Sequence, residues 1–271
     1  MVQRWQEWTE VTDEDLAGVR GICFDIDDTF STEGKITRGA FDALWNLRDA
    51  GLALVPVTGR PAGWCDHFAR FWPVDAVVGE NGAFVFYMGD GARRRINTPS
   101  SVAPNEAKKK LDTFADEVLS EFPHAEWASD QDYREFDLAI DVYEDVEPWP
   151  DDDVQKLLDM AEEHGAHAKL SSVHVNVWFG DFDKFAGFTA WQEQGAPGFE
   201  GRELSHEEWI YIGDSPNDAP MFRAFDRSVG VANVRPFRAR IGEDGPTWVT
   251  KGHSGQGFVE VADRILEARE G

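Results

Sequence analysis

An apolar run that ends abruptly in carboxylates most narrows what this chain can become. The stretch is Ile22-Cys23-Phe24-Asp25-Ile26-Asp27-Asp28-Thr29. A short apolar run over residues 19–24, closed by polar residues, reads as a buried strand emptying into a loop. In an open α/β sheet, ligands collect at the carboxyl ends of strands. Asp25 and Asp27 stand two apart, so in extended chain their side chains share a face. Carboxylates held close repel each other unless a cation or a proton joins them. Taken alone the stretch is also readable as a solvated acidic turn, because Asp is common in turns.

The chain that follows argues for a sheet. Thr37 opens a helix to about residue 50, with Phe41, Leu44 and Leu47 on one face and Gly51 as its stop. A second apolar run, 52–57, ends in Thr58-Gly59-Arg60-Pro61. A helix to about residue 71, a strand at 76–78, the turn Glu80-Asn81-Gly82 and a strand at 83–87 complete a β-α-β-α-β alternation. Such alternation predicts a parallel sheet with right-handed crossovers. The middle breaks the pattern: helices over 104–122 and 150–164, strands over 125–128, 136–143, 166–170 and 173–179. This α-β-β-α-β-β unit predicts an inserted α+β domain, because the α/β pattern resumes with a helix at 184–194 and a strand at 209–212. That strand ends in Gly213-Asp214-Ser215-Pro216-Asn217-Asp218. The expected division is a core of residues 1–87 and 184–271, whose residues 1–18 form a peripheral arm, and an insert of residues 88–183.

Composition limits the partners. The formal net charge is −25, which argues against nucleic acid or an anionic membrane. It also means that a phosphorylated substrate needs local cations. No apolar run approaches the ~18 residues that span a bilayer. The start, Met1-Val2-Gln3-Arg4-Trp5, lacks an apolar signal core. Two cysteines, Cys23 and Cys65, make no disulfide framework. A reducing cytoplasm is the expected setting.

Three predicted strand ends thus carry polar clusters: Asp25/Asp27, Thr58 and Asp214/Asp218. On neighbouring strands they converge on one rim, where four carboxylates require a cation. Oxygen ligands of this kind suit Mg²⁺ shared with a phosphate. Thr58, loop N–H groups and Lys184 can supply donors to that phosphate.

Together, Asp25-Ile26-Asp27-Asp28-Thr29, Thr58-Gly59-Arg60, Lys184 and Gly213-Asp214-Ser215-Pro216-Asn217-Asp218 resemble the four motifs of the haloacid dehalogenase (HAD) superfamily, in order. Glu80-Asn81-Gly82-Ala83 and Val249-Thr250…Gly255-Gln256-Gly257-Phe258-Val259 are similar to its Cof-type, class IIB branch. The αββαββ insert resembles the C2B cap of that branch. The resemblance implies a Rossmann-like α/β core with a cap, and a Mg²⁺-dependent phosphatase.

Residue by residue, the resemblance makes Asp25 the nucleophile that becomes an aspartyl-phosphate, and Asp27 the acid/base. Thr58 and Lys184 would bind the transferring phosphoryl group. Asp25, the Asp27 backbone carbonyl and Asp214 would hold Mg²⁺. Asn217, Asp218, Gly59 and Arg60 would support the loop, the metal or the phosphate. Lys184 is the only Lys between Lys169 and Lys251. Asp28 departs from the pattern, standing where Gly is common. On the insert, His174, Asn176 and Trp178 alternate on one strand and so share a face. With Arg134 they are candidates for substrate contact.

The implied substrate is a small phosphorylated metabolite, with a sugar phosphate leading by analogy. A phosphomutase of the phosphomannomutase type is the alternative on the same fold, and a catalytically idle binding module the alternative of another class. Oligomeric state is not readable from the chain.

Overall fold

The computed structural model describes residues 3–201 and 203–270. The first half runs β1 (Gln6–Glu7), α1 (Asp13–Leu16), β2 (Gly21–Phe24), α2 (Arg38–Asp49), β3 (Ala53–Pro56), α3 (Ala62–Phe71), β4 (Ala76–Gly79), β5 (Phe84–Gly89) and β6 (Ala92–Asn97). The middle runs α4 (Pro104–Glu121), β7 (Glu126–Trp127), β8 (Asp137–Asp141), α5 (Asp151–Glu163), β9 (His167–Leu170) and β10 (His174–Trp178). The chain closes with α6 (Lys184–Glu193), β11 (Trp209–Gly213), α7 (Ala219–Ala224), β12 (Ser228–Gly230), α8 (Arg238–Ile241), β13 (Trp248–Val249) and α9 (Ser254–Glu270). No helix among the described residues is long and apolar enough to cross a membrane.

Six strands form a parallel sheet in the order β1-β13-β12-β11-β2-β3. Apart from the half-buried edge strand β1, these strands are buried on both faces, and alternate residues enter two different cores. Ile22, Phe24, Leu54, Ile210 and Ile212 pack against α2 and α9. Cys23, Val55, Trp209 and Tyr211 pack on the other face, with Phe188 and Trp191 of α6 and Met221 and Phe222 of α7. Near-continuous apolar strands are what a parallel sheet covered on both sides requires. Helix starts follow local chemistry: the Thr12 hydroxyl accepts from Asp15 N–H, Thr37 from Ala40 N–H, and the Asp183 carboxylate from Ala186 N–H.

A four-stranded antiparallel sheet, β7-β8-β10-β9, carries α4 and α5. Leu138, Ile140, Val142, Val175 and Val177 pack with Leu111, Phe114, Val154 and Leu157 of those helices. The alternate residues, Asp137 of β8 and His174, Asn176 and Trp178 of β10, occupy the other face. Trp178 there joins Ile26, Phe84 and Phe182 in a separate apolar cluster.

Two strands go beyond the sequence reading. The arm contributes β1, an edge strand parallel to β13. The strand after the Glu80-Asn81-Gly82 turn does not continue the parallel sheet. It forms the antiparallel set β4-β5-β6, with β6 the strand not foreseen. Its sequence, Ala92 to Asn97, holds three consecutive arginines, Arg93, Arg94 and Arg95, which mask strand character. Arg93 and Arg95 lie over the rings of Phe86 and Phe84. Their aliphatic stems thereby cover apolar surface.

Candidate active site

In the sheet order β11, β2 and β3 are adjacent, so the chain leaves all three at one rim. Asp25 follows β2 and is 4% exposed; its N–H donates to Ile212 O at 2.8 Å. Thr58 lies just beyond β3 and is fully buried. Its hydroxyl oxygen accepts from Arg60 N–H at 3.0 Å, leaving the hydroxyl hydrogen free to point elsewhere. Asp214 and Asp218 follow β11.

Lys184, the first residue of α6, reaches this rim from the far side of the insert. Its buried Nζ lies 2.7 Å from Asp25 Oδ1, 2.6 Å from Asp218 Oδ1 and 3.3 Å from Asn217 Oδ1. Gly82 makes that approach possible. It has φ +107°, and a Cβ there would stand 1.9 Å from the Asp183 carbonyl oxygen. The β4–β5 turn therefore presses directly on the start of α6.

The four residues Asp25, Lys184, Asp214 and Asp218 form a buried ionic group with one cation. Burial pushes the Asp25 carboxyl up to about 8, against the pull of Lys184, and Asp218 and Asp27 add to the rise. Burial, with Asp25 and Asp218, also drives Asp214 well above the usual carboxylate range. Burial disfavours the charge on Lys184, but Asp218 and Asp25 outweigh it and raise its pKa.

One carboxylate oxygen each from Asp25, Asp214 and Asp218 lies within 4.8 Å of the others. This donor set fits a hard divalent cation. The hydrogen bonds sort the three. Asp218 is committed: it accepts from Lys184, from Tyr211 Oη at 2.5 Å, and from the N–H groups of Asp214 and Ser215 at 2.8 and 3.0 Å. Among the described residues, the Asp214 carboxylate accepts only from Thr29 Oγ1 (3.1 Å) and Asn233 Nδ2 (3.1 Å), which aim it and leave lone pairs over. Asp25 and Asp214 thus keep more lone pairs open to a cation than Asp218, which holds their loop and Lys184.

Asp27 faces outward. Arg60 grips both of its oxygens, with Nε at 3.0 and 3.1 Å and Nη2 at 2.9 Å from Oδ1. The same guanidinium reaches across to the insert, at 3.2 Å from Asp130 Oδ2 and 2.6 Å from Glu144 Oε1. Glu144 in turn lies 2.9 Å from His174 Nε2. Burial opposes ionisation of Glu144, but His174 and Arg60 prevail and hold its carboxyl down to about 2. Asp28 adopts φ +52°, the left-handed region that glycine favours. Burial and Asp27 raise its pKa.

His174 and Asn176 line a recess shared with Asp25, Asp27 and Asn217. The other two insert candidates are directed elsewhere. Arg134 is fully buried against Asp130 and Asp137, and donates to Gly59 O at 2.9 Å. It braces the loop that carries Gly59. Trp178 is 2% exposed, stacks on Phe182 and donates its indole N–H to Phe182 O. Trp178 shares the face of His174 and Asn176 along β10, but at Trp178 that face rests on the core.

Several residues at the site had no role assigned from sequence. Asn81 is buried at φ +53°, beside Gly59 and Asn217, and its Nδ2 has no hydrogen-bond partner. Glu80 accepts from the N–H groups of Ala62, Glu135 and Phe136, tying the insert to the core. Asn233 steadies Asp214, the Asp28 carbonyl and Ser254 N–H. The Glu80-Asn81-Gly82 turn was a visible signal; nothing near Asn233 or Glu144 was.

The chain is similar to known proteins in sequence and fold. The family model described as haloacid dehalogenase-like hydrolase matches residues 22–122. The chain is similar to the phosphoglycolate phosphatase of Methanoculleus marisnigri, 26% identical over 250 residues, covering 91% of this chain and 96% of that one. Among solved structures, a Thermoplasma acidophilum protein superposes with TM-score 0.68 at 20% identity, over 92% of this chain and 98% of that one. The sucrose-phosphatase of Synechocystis sp. PCC6803, solved with sucrose and phosphate, superposes with TM-score 0.61 at 14% identity, over 91% and 97%. The matched segment starts inside β2, so the first part of the chain is similar to the haloacid dehalogenase-like hydrolases, and the fold of those solved structures is shared over more than nine-tenths of the chain.

Proposed function

We propose that the protein is a Mg²⁺-dependent phosphomonoester hydrolase that works through an aspartyl-phosphate on Asp25. The substrate is a small phosphorylated metabolite, with a sugar phosphate the leading class. The observation that carries this reading is the buried contact of Lys184 Nζ with Asp25 and Asp218, beside Asp214. A carboxylate so placed is a fixed nucleophile next to a fixed cation. The relatives, named for phosphoglycolate phosphatase and sucrose-phosphatase, support the reaction class.

In the first step, a carboxylate oxygen of Asp25 bonds to phosphorus as the bond to the leaving oxygen breaks. Asp27 gives that oxygen its proton. In the second step, water attacks phosphorus and gives its proton to Asp27. The Asp25–phosphorus bond breaks, and inorganic phosphate leaves. Thr58 Oγ1, Lys184 Nζ and Asn81 Nδ2 donate to the phosphoryl oxygens. Arg60 orients Asp27 and must loosen its grip for the proton to move. Asp25 and Asp214, with the Asp27 carbonyl, would hold Mg²⁺, which neutralises charge on the phosphoryl group.

The purified chain with Mg²⁺ is expected to release phosphate from p-nitrophenyl phosphate, and to stop when EDTA is added. Absence of turnover, or turnover indifferent to EDTA, contradicts the proposal.

A further inference from the structure

Resting on the hydrolase reading above, we propose that the leaving group sits in a cleft walled by Trp64 and selected by charge. It must carry no negative charge, present an apolar face to Trp64, and offer hydrogen-bond donors to Glu144 and Asp145.

The leaving oxygen has to lie beside Asp27, so the rest of the alcohol extends into whatever space adjoins Asp27. Toward Asp25, the recess under β10 holds only about 10 Å³. Outward, between α3 and the insert, a cleft of about 380 Å³ opens directly from Asp27 and Arg60. Its core wall is apolar and aromatic, with Trp64, Phe68 and Trp72. Trp64 is 46% exposed, and Ile36, on the same cleft, is 37% exposed. A large aromatic left open to water beside a catalytic carboxylate is informative in a way that a scattered surface Leu is not.

The opposite wall is acidic: Asp130, Glu144 and Asp145. Apart from His67, the one cation among the described residues of the cleft is Arg60. Arg60 is already bound by Asp27, Asp130 and Glu144. A carboxylate on the leaving group would find repulsion and no spare partner. A second opening of about 300 Å³ beside Asp27 offers no escape from this, since Asp28, Glu33 and Glu144 line it with the same Arg60. Hydroxyl or ammonium donors meet the reverse situation, with acceptors on one wall and an aromatic face on the other.

The test uses the full chain loaded with Mg²⁺ and four esters: p-nitrophenyl phosphate, a hexose phosphate, phosphoethanolamine and phosphoglycolate. The hexose phosphate or phosphoethanolamine is expected to exceed phosphoglycolate in kcat/KM by at least about tenfold, the size of discrimination one pocket contact supplies. Which of the two leads tells hydroxyl from ammonium donors. Trp64→Ala should lower the ratio of the preferred ester to phosphoglycolate by about fivefold or more, through KM, and Trp64→Phe should recover part of it. Asp145→Lys should raise the relative turnover of phosphoglycolate by about threefold or more. A preference for phosphoglycolate, or a ratio unmoved by Trp64→Ala, overturns the proposal while leaving the hydrolase reading intact. Failure of the wild type on p-nitrophenyl phosphate overturns both.

Discussion

Lys184 Nζ lies 2.7 Å from Asp25 and 2.6 Å from Asp218, so truncating it leaves buried carboxylates facing one another. Removing one partner of a buried ion pair costs about 3–5 kcal/mol, because the remaining charge is uncompensated. Lys184→Ala is therefore expected to lose phosphate release and to unfold at markedly lower denaturant in metal-free buffer. Added Mg²⁺ should restore part of that stability, since the cation takes over the neutralising role. Denaturant melts with and without Mg²⁺ measure this, and an unchanged midpoint would contradict it. Asn81 makes a separate test. Its unpartnered Nδ2 is assigned to a phosphoryl oxygen, and Asn81→Gly keeps the left-handed backbone while removing the donor. A hydrogen bond to a charged group is worth about 1.5–3 kcal/mol, so the inhibition constant of inorganic phosphate should rise about tenfold or more. Unaltered phosphate inhibition would remove Asn81 from the site.

Between elements, Arg60 is the joint. It ties the β2 loop, through Asp27, to the segments of the insert that carry Asp130 and Glu144. The recess over Asp25 is about 10 Å³, roughly the room of one water molecule, so a phosphate enters only when the insert shifts away. The strength of this joint can be read from pH. Glu144 titrates near 2 in the folded chain against an ordinary value of 4.5. Between those values the unfolded chain binds the extra proton. Stability from Glu144 is thus present above its ordinary range and is lost as pH falls toward the folded value. Glu144→Gln lacks that group. The gap in Tm between wild type and variant should narrow as pH drops from about 6 to about 2.5. A gap that stays constant would show that the Glu144 pairs contribute nothing to holding the insert down.

For the molecule as a whole, the acidity has a kinetic consequence. A net charge of −25 repels a dianionic ester at long range. Salt screens that field over about 10 Å at 0.1 M while leaving the buried contacts alone. Raising ionic strength from about 10 to about 150 mM should therefore increase kcat/KM for a phosphate ester, and a decrease would point to a net attractive path to the site. Much of the architecture was legible in sequence, because it depends on period and order. Apolar runs ending at Asp25, Thr58 and Asp214 lie on three adjacent strands, and the α-β-β-α-β-β pattern of the middle forms one antiparallel sheet. What escaped depends on pairing across the chain. The arginines of β6 read as polar until Phe84 and Phe86 lie beneath them. Glu144 and Asn233 carry no local signal, since their partners are 84 residues away at Arg60 and 19 away at Asp214. Period also could not tell that Trp178, on the same face as His174 and Asn176, is covered by the core.

The proposed hydrolysis requires Asp25 to take the phosphoryl group. Mass spectrometry of the Mg²⁺-loaded protein, quenched in acid during turnover of p-nitrophenyl phosphate, tests it most directly. The wild type should carry one phosphoryl group on the peptide containing Asp25, while folded Asp25→Asn carries none and releases no phosphate. Turnover by Asp25→Asn, or a phosphoryl group found on another residue, would contradict it.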